Sequence, residues 1–200
     1  MDEIEILWLP LVTFALSSSI TPGPNNIMLA ASGVNYGFSR SIPHMLGVSI
    51  GFFILFLAVA FGLGNIFERY PQLQMALKYI GSVYLLWLAW KIATASAATE
   101  KSVSSKPMTF FQAASFQFVN VKALMMAISS AVVFTLPGEH YIMSALLVGL
   151  VFTLVNLPCV SVWVAFGSGL KRFLRNEQSL KAFNWSLASL TAASVVLFYI

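Results

Sequence analysis

The stretch Ile20-Thr21-Pro22-Gly23-Pro24-Asn25-Asn26 interrupts a long apolar run, and it constrains the fold more than any other segment. Proline lacks a backbone N–H and fixes φ, so neither Pro22 nor Pro24 continues an α-helix normally. In a regular helix Pro22 would leave the Ser18 carbonyl unpaired, and Pro24 that of Ile20. Gly23 lets the backbone leave helical geometry. Asn25 and Asn26 stand where a new helix would begin, and asparagine is a favoured N-cap. The segment predicts a helix that stops and restarts, with freed carbonyls on one side and freed N–H groups on the other. The plainer alternatives are a kinked helix closed by its neighbours, or a polar loop at a membrane surface.

The membrane enters through composition. Of the 200 residues, 58% are hydrophobic and only 9% charged, and the mean hydropathy is +0.83. A soluble domain carries about 25% charged residues, so the chain reads as an all-α, polytopic membrane protein. In hydrocarbon, unpaired backbone groups are tolerated only against protein or a water-filled cavity, and a broken helix at depth points to a transporter's site. The net charge of +4 comes from bases between spans and is no signal for nucleic acid. The single cysteine, Cys159, excludes an internal disulfide and a Cys-pair metal site, and no metal or cofactor is expected. The start, Met1-Asp2-Glu3-Ile4-Glu5, lacks the basic region of a signal peptide. The first span is expected to stay in the protein.

With about 20 apolar residues per span, six spans are predicted, over 6–30, 42–66, 73–92, 110–136, 141–169 and 183–200. Most of the bases fall in the odd-numbered connections: Arg40; Lys91, Lys101 and Lys106; and Lys171, Arg172, Arg175 and Lys181. Positive loops stay cytoplasmic, which puts both termini outside the cytoplasm. The low-complexity segment 95–106 reads as a flexible linker. It divides a single domain, 1–200, into halves of about 1–94 and 107–200 with three spans each. An odd number of spans per half makes the halves inverted repeats, a common transporter plan. Each half opens with a span that carries a polar insertion.

Those two insertions hold the candidate site. In span four, Gln117-Phe118-Val119-Asn120-Val121-Lys122 contains an intramembrane lysine. Such a residue costs about 2.5–3.5 kcal/mol even on insertion scales, and at 1.5 Å per residue Lys122 lies about 18 Å from the start of its span. That is too deep for easy snorkelling. Asn120 and Lys122 are separated by about 200° on a regular helix, so they share a site only if the helix bends or unwinds there. Thr13, Ser17 and Thr21 recur at i, i+4 and i+8 and are candidates to line an approach path. Asn156, beside the kink expected at Pro158, is a further candidate path-lining residue. So is His44, whose plainer reading is an interfacial, solvated histidine. Gly47 and Gly51 read as a close-packing stripe. Tyr84, Trp87 and Trp90 read as an aromatic belt beside a snorkelling Lys91.

Thr21-Pro22-Gly23-Pro24-Asn25 resembles the hallmark of the lysine-exporter (LysE/RhtB) family of amino-acid efflux proteins. Lys78-Tyr79-Ile80-Gly81, leading to Tyr84-Leu85, and Asn120-Val121-Lys122-Ala123 match as well. Most of that family has Asn-Pro-Lys in span four, where this chain has Val121. Gln117 to Lys122 and Trp87 to Thr94 look like the cysteine/O-acetylserine exporter branch. The resemblance implies export of a small neutral amino acid across the bacterial inner membrane, by antiport or another secondary mechanism. It also implies a lipid environment, and a homo-oligomer is a candidate assembly.

On this reading Thr21, Pro22, Gly23, Pro24, Asn25, Asn26, Asn120 and Lys122 bind substrate. The N–H groups of Asn25 and Asn26, at the positive end of a half-helix, hold the carboxylate, and Lys122 adds to it. The Ser18 and Ile20 carbonyls and the Asn120 amide take the ammonium. All seven carboxylates fall in loops or at the terminus, so proton-motive coupling would need another titratable group, and Lys122 is the deepest. Three other classes are weighed. A membrane redox carrier would need paired cysteines, and this chain has only Cys159; a hydrolase would need a nucleophile with its base, or a metal, against which stand two distant histidines, His44 and His140, and no buried carboxylate. A passive pore or scaffold differs from a carrier in that it cannot drive counterflow.

Overall fold

The computed structural model describes residues 8–94, 106–170 and 177–196, and all regular elements among them are helical. Helices α1 (Trp8–Ile20) and α2 (Pro24–Tyr36) are the two pieces of the first predicted span. The break falls where the proline pair placed it. Pro24 opens α2, a position where its missing N–H has no helical acceptor to lose. Gly37 ends α2 at φ 84°, a conformation that favours glycine, and the chain turns directly into α3 (Phe38–Ala58). A kink at Phe61 and Gly62, where Gly62 has φ 134°, separates α3 from α4 (Gly64–Arg69), and α5 (Pro71–Ala93) follows.

Beyond the linker, Thr109 and Gln112 form a reciprocal capping box that starts α6 (Phe110–Phe116). Helix α7 (Val121–Phe134) is bent from α6 by 65°. A short 3₁₀ turn leads into α8 (Tyr141–Leu170), and α9 is Glu177–Ala193. The bend satisfies the condition set by Asn120 and Lys122, and it forms without a proline. Val121 occupies the first helical position, where proline would be favoured but is not required.

Among the described residues, two helical runs are long and apolar enough to cross a membrane, Phe38–Ile66 (29 residues, with the Gly62 kink near its end) and Gly138–Leu170 (33 residues). The bent pair α6–α7 makes a third if it counts as one span. Helix α1 is apolar but has only 13 residues, about 20 Å at 1.5 Å each, too short to cross without α2. Helix α5 is long enough, but Lys78 and Lys91, with its Tyr and Trp residues, lower its hydropathy. Helix α9 begins earlier than the sixth predicted span and ends at Ala193. Pro158 lies inside α8, at the position of the expected kink. The loop bases Lys101, Lys171, Arg172 and Arg175, both ends of the chain and nearly all of the 95–106 linker lie outside the described residues.

Packing is set by small residues. A Cβ on Gly33 would lie 2.3 Å from the Val164 carbonyl oxygen, and one on Gly167 would lie 2.1 Å from that of Ala30. Helices α2 and α8 therefore meet backbone to backbone. Gly47 and Gly51 do the same for α3 against α6, meeting the Phe110 carbonyl and Ala114. The stripe read as packing is packing. One apolar core joins α1, α3, α7 and α8 around Leu11, Phe52, Phe56, Leu124 and Phe152. A second joins α2, α5, α6 and α9 around Ile27, Met28, Leu85, Phe116 and Leu187. The two broken helices lie between these cores and face each other at their breaks.

Candidate functional site

The break in α1–α2 leaves carbonyl oxygens that a continuous helix would have used, and each described one has a donor. The Thr21 hydroxyl donates to Ser18 O at 3.0 Å. The Asn26 amide reaches back across the break to Ser19 O at 2.7 Å and Thr21 O at 2.8 Å. The Trp163 indole of α8 donates to Ile20 O at 3.1 Å. Lys122 supplies the rest. Its Nζ lies 3.0 Å from Thr21 O, 3.0 Å from Thr21 Oγ1 and 3.3 Å from Pro22 O. An ammonium has three protons, and three oxygens of the break surround this one. Lys122 thus caps the negative C-terminal end of α1, where a cation is favoured.

In this arrangement the Ser18 and Ile20 carbonyls each accept from a protein donor. The Asn120 side chain is the N-cap of α7, its Oδ1 accepting from the Lys122 N–H at 3.2 Å. Lys122 faces carbonyl oxygens in this closed arrangement.

Gly23, the N-cap of α2, is extended (φ −179°) and has no side chain to offer. The first-turn N–H groups of Asn25 and Asn26 consequently have no intrahelical acceptor. Gly23 also makes room for the lysine, because a Cβ there would sit 2.9 Å from Lys122 Cδ and 3.1 Å from Nζ.

The two breaks are joined by a reciprocal amide pair. Asn25 Nδ2 donates to Gln117 Oε1 at 2.8 Å, and Gln117 Nε2 donates to Asn25 Oδ1 at 3.2 Å and to Ala113 O at 2.8 Å. A buried chain of polar groups flanks them: Ser49 Oγ donates to Asn156 Oδ1 at 2.8 Å, and Asn156 Nδ2 to Ser19 Oγ at 3.2 Å. Asn156 therefore reaches across to α1 and α3, and its amide does not pair with the Leu154 carbonyl freed by Pro158. A cavity of about 30 Å³ remains, lined by residues that include Ser19, Asn25, Gln117, Asn120, Lys122 and Asn156. It can hold a water or two and is too small for an amino acid.

Eight candidate binding residues, Thr21 to Asn26 with Asn120 and Lys122, are brought together around the two breaks, and Asn156 joins them. Thr13 and Ser17 are not; both are exposed on the far side of α1, and the Ser17 hydroxyl folds back on Phe14 O at 3.1 Å. His44 is buried inside α3, where an interfacial, solvated ring was expected, and it lies outside the small cavity. Sequence reasoning missed Ser19, Ser49 and Trp163. Ser49 sits within the Gly47–Gly51 packing stripe, Ser19 and Trp163 in no motif, and each acts through a contact between distant segments. Gln117 stands in the motif Gln117 to Lys122, and the signal that could have singled it out is a second amide three residues before Asn120.

The family model described as LysE type translocator matches residues 16–199. The chain belongs to this family of translocators. A LysE-type translocator is a transporter and not an enzyme, and this one is a multi-pass membrane protein. The cysteine/O-acetylserine efflux protein of Salmonella paratyphi A is 35% identical over 167 residues, covering 82% of this LysE-type chain and 84% of its relative. That of Klebsiella pneumoniae is 33% identical over 180 residues, 90% of each chain, and that of Escherichia coli O1:K1 is 32% identical over 166 residues, 82% and 83%. No solved structure matches.

Proposed function

We propose that this LysE-type translocator exports small neutral amino acids, cysteine- or O-acetylserine-like, from the cytoplasm across the bacterial inner membrane. The efflux activity named for its relatives supports the substrate class. The observation that carries the mechanism is the Lys122 ammonium on three oxygens of the α1 break. A zwitterionic amino acid can exchange with that arrangement. Its ammonium takes the place of Nζ on the Thr21 and Pro22 oxygens. Its carboxylate meets the Asn25 and Asn26 N–H groups at the positive end of α2 and the released Lys122. Every group freed by the exchange finds a partner, so the bound state costs little unpaired polarity. Opening the 30 Å³ cavity to admit an amino acid requires parting Asn25 from Gln117.

The architecture proposed is six spans in two inverted halves, with α1–α2, α3–α4 and α5 in the first and α6–α7, α8 and α9 in the second. It is supported by the packing: α1 lies on α8 while α6 lies on α3, and α5 pairs with α9. Both termini are proposed outside the cytoplasm. Export is proposed to be driven by the proton-motive force, with Lys122 as the coupling group.

The test is efflux from cells loaded with O-acetyl-L-serine, with counterflow in proteoliposomes to separate a carrier from a pore. Lys122→Met is expected to insert normally and lose export. Lys122→Arg, charged at any working pH, is expected to keep counterflow and lose acceleration by a proton gradient. Full export by Lys122→Met would remove the exchange mechanism, and full gradient-driven export by Lys122→Arg would remove Lys122 as the coupling group.

A further inference from the structure

A second, larger cavity of about 390 Å³ runs beside the C-terminal half of α2, within the size range of small-molecule sites. Its walls come from α2, α3, α5 and the segment leading into α6. Met28, on its wall, is four residues from Pro24 on the small cavity, about one helical turn along α2. Its lining has aromatic residues, Trp87 and Trp90 among them, and two cations, Lys91 and Lys106, with no carboxylate among the described residues. Lys91 lies over the Trp87 ring at 4.5 Å.

His44 lies on this wall and is buried, and neither of its ring nitrogens has a hydrogen-bond partner. Buried polar atoms in native proteins are almost always partnered, so an orphan of this kind calls for a ligand or water. The nearby polar groups do not compensate. The Ser32 hydroxyl pairs with Ser41 at 2.7 Å, and the Asn35 amide pairs with Asn184 and Ala31 O. A neutral imidazole offers one donor and one acceptor, which suits a molecule carrying both an anionic acceptor and an ammonium donor. The surplus of positive charge calls for the anionic group.

We propose that this cavity is a second amino-acid site, distinct from the break, in which His44 hydrogen-bonds the zwitterionic headgroup. The choice of ligand rests on the transport reading above. The site would hold substrate one helical turn from the break before the Asn25–Gln117 pair opens.

Trp87 and Trp90 provide a local reporter. Purified protein titrated with O-acetyl-L-serine is expected to show a saturable change in tryptophan fluorescence, diminished in the double variant Trp87→Phe/Trp90→Phe to what Trp163 at the break reports. His44→Phe keeps an aromatic ring and removes both nitrogens, and it is expected to weaken the apparent Kd at least about tenfold. His44→Gln retains a donor and an acceptor and is expected to bind within about threefold of the parent. Three results would each overturn the proposal: no saturable change in the parent, a change undiminished in the double tryptophan variant, or parental affinity in His44→Phe. The first of these is also the result expected if only water occupies the cavity. Efflux measured in parallel keeps the two readings apart. Export without the fluorescence change removes this site alone, and the fluorescence change without export removes the transport reading alone.

Discussion

Lys122 was readable as exceptional because an ammonium at depth is costly, but its partners were not. They lie 100 and 101 residues earlier in the chain, at Pro22 and Thr21, and no spacing rule connects them. The same holds for Gly23. The sequence offers it as a helix breaker, whereas its backbone is extended (φ −179°), a conformation open to any residue. What requires glycine there is the lysine side chain 2.9 Å from where a Cβ would be. Gly23→Ala is therefore expected to leave insertion and thermal stability close to the parent, since the flexible end of Lys122 can shift, and to reduce efflux roughly tenfold by pushing Nζ off the break. Parental efflux would show that the close packing of Lys122 on Gly23 is incidental. His44 shows the limit in the other direction. A lone histidine near a span end carries no signal that its ring is buried without a partner.

At the scale of elements, the break in α1–α2 was legible because Pro-Gly-Pro admits no regular helix. The bend in α6–α7 was legible only as a condition, through the angular separation of Asn120 and Lys122. With Val121 where proline would stand, nothing local required it. The structure supplies the cause: the Asn120 side chain caps α7 from outside its first turn, and the Gln117–Ala113 and Gln117–Asn25 bonds hold the end of α6. Replacing Pro22-Gly23-Pro24 by three alanines is expected to fuse α1 to α2 and restore helical partners to the break. That variant should insert in the membrane and show no efflux above a vector control. Normal efflux from it would show that the free backbone groups take no part in binding.

For the whole molecule, the all-helical class followed from composition, and the helix positions followed from apolar length. The count of spans did not, because α1, α2 and α6 are each shorter than the bilayer and α5 is diluted by lysines and aromatics. Orientation was read from loop bases, most of which lie in or beside segments outside the described residues. A reporter active only in the periplasm is expected to be active when fused after Ile200 and silent when placed between Ala95 and Ser105; the reverse pattern would invert the proposed topology. The glycine contacts between α2 and α8 bear on how such a molecule can move. With Gly33 against the Val164 carbonyl and Gly167 against that of Ala30, the two backbones touch with no side chain between them. If that pair moves as one beam, bending is left to the hinge at Thr21–Gly23 and to the elbow between α6 and α7.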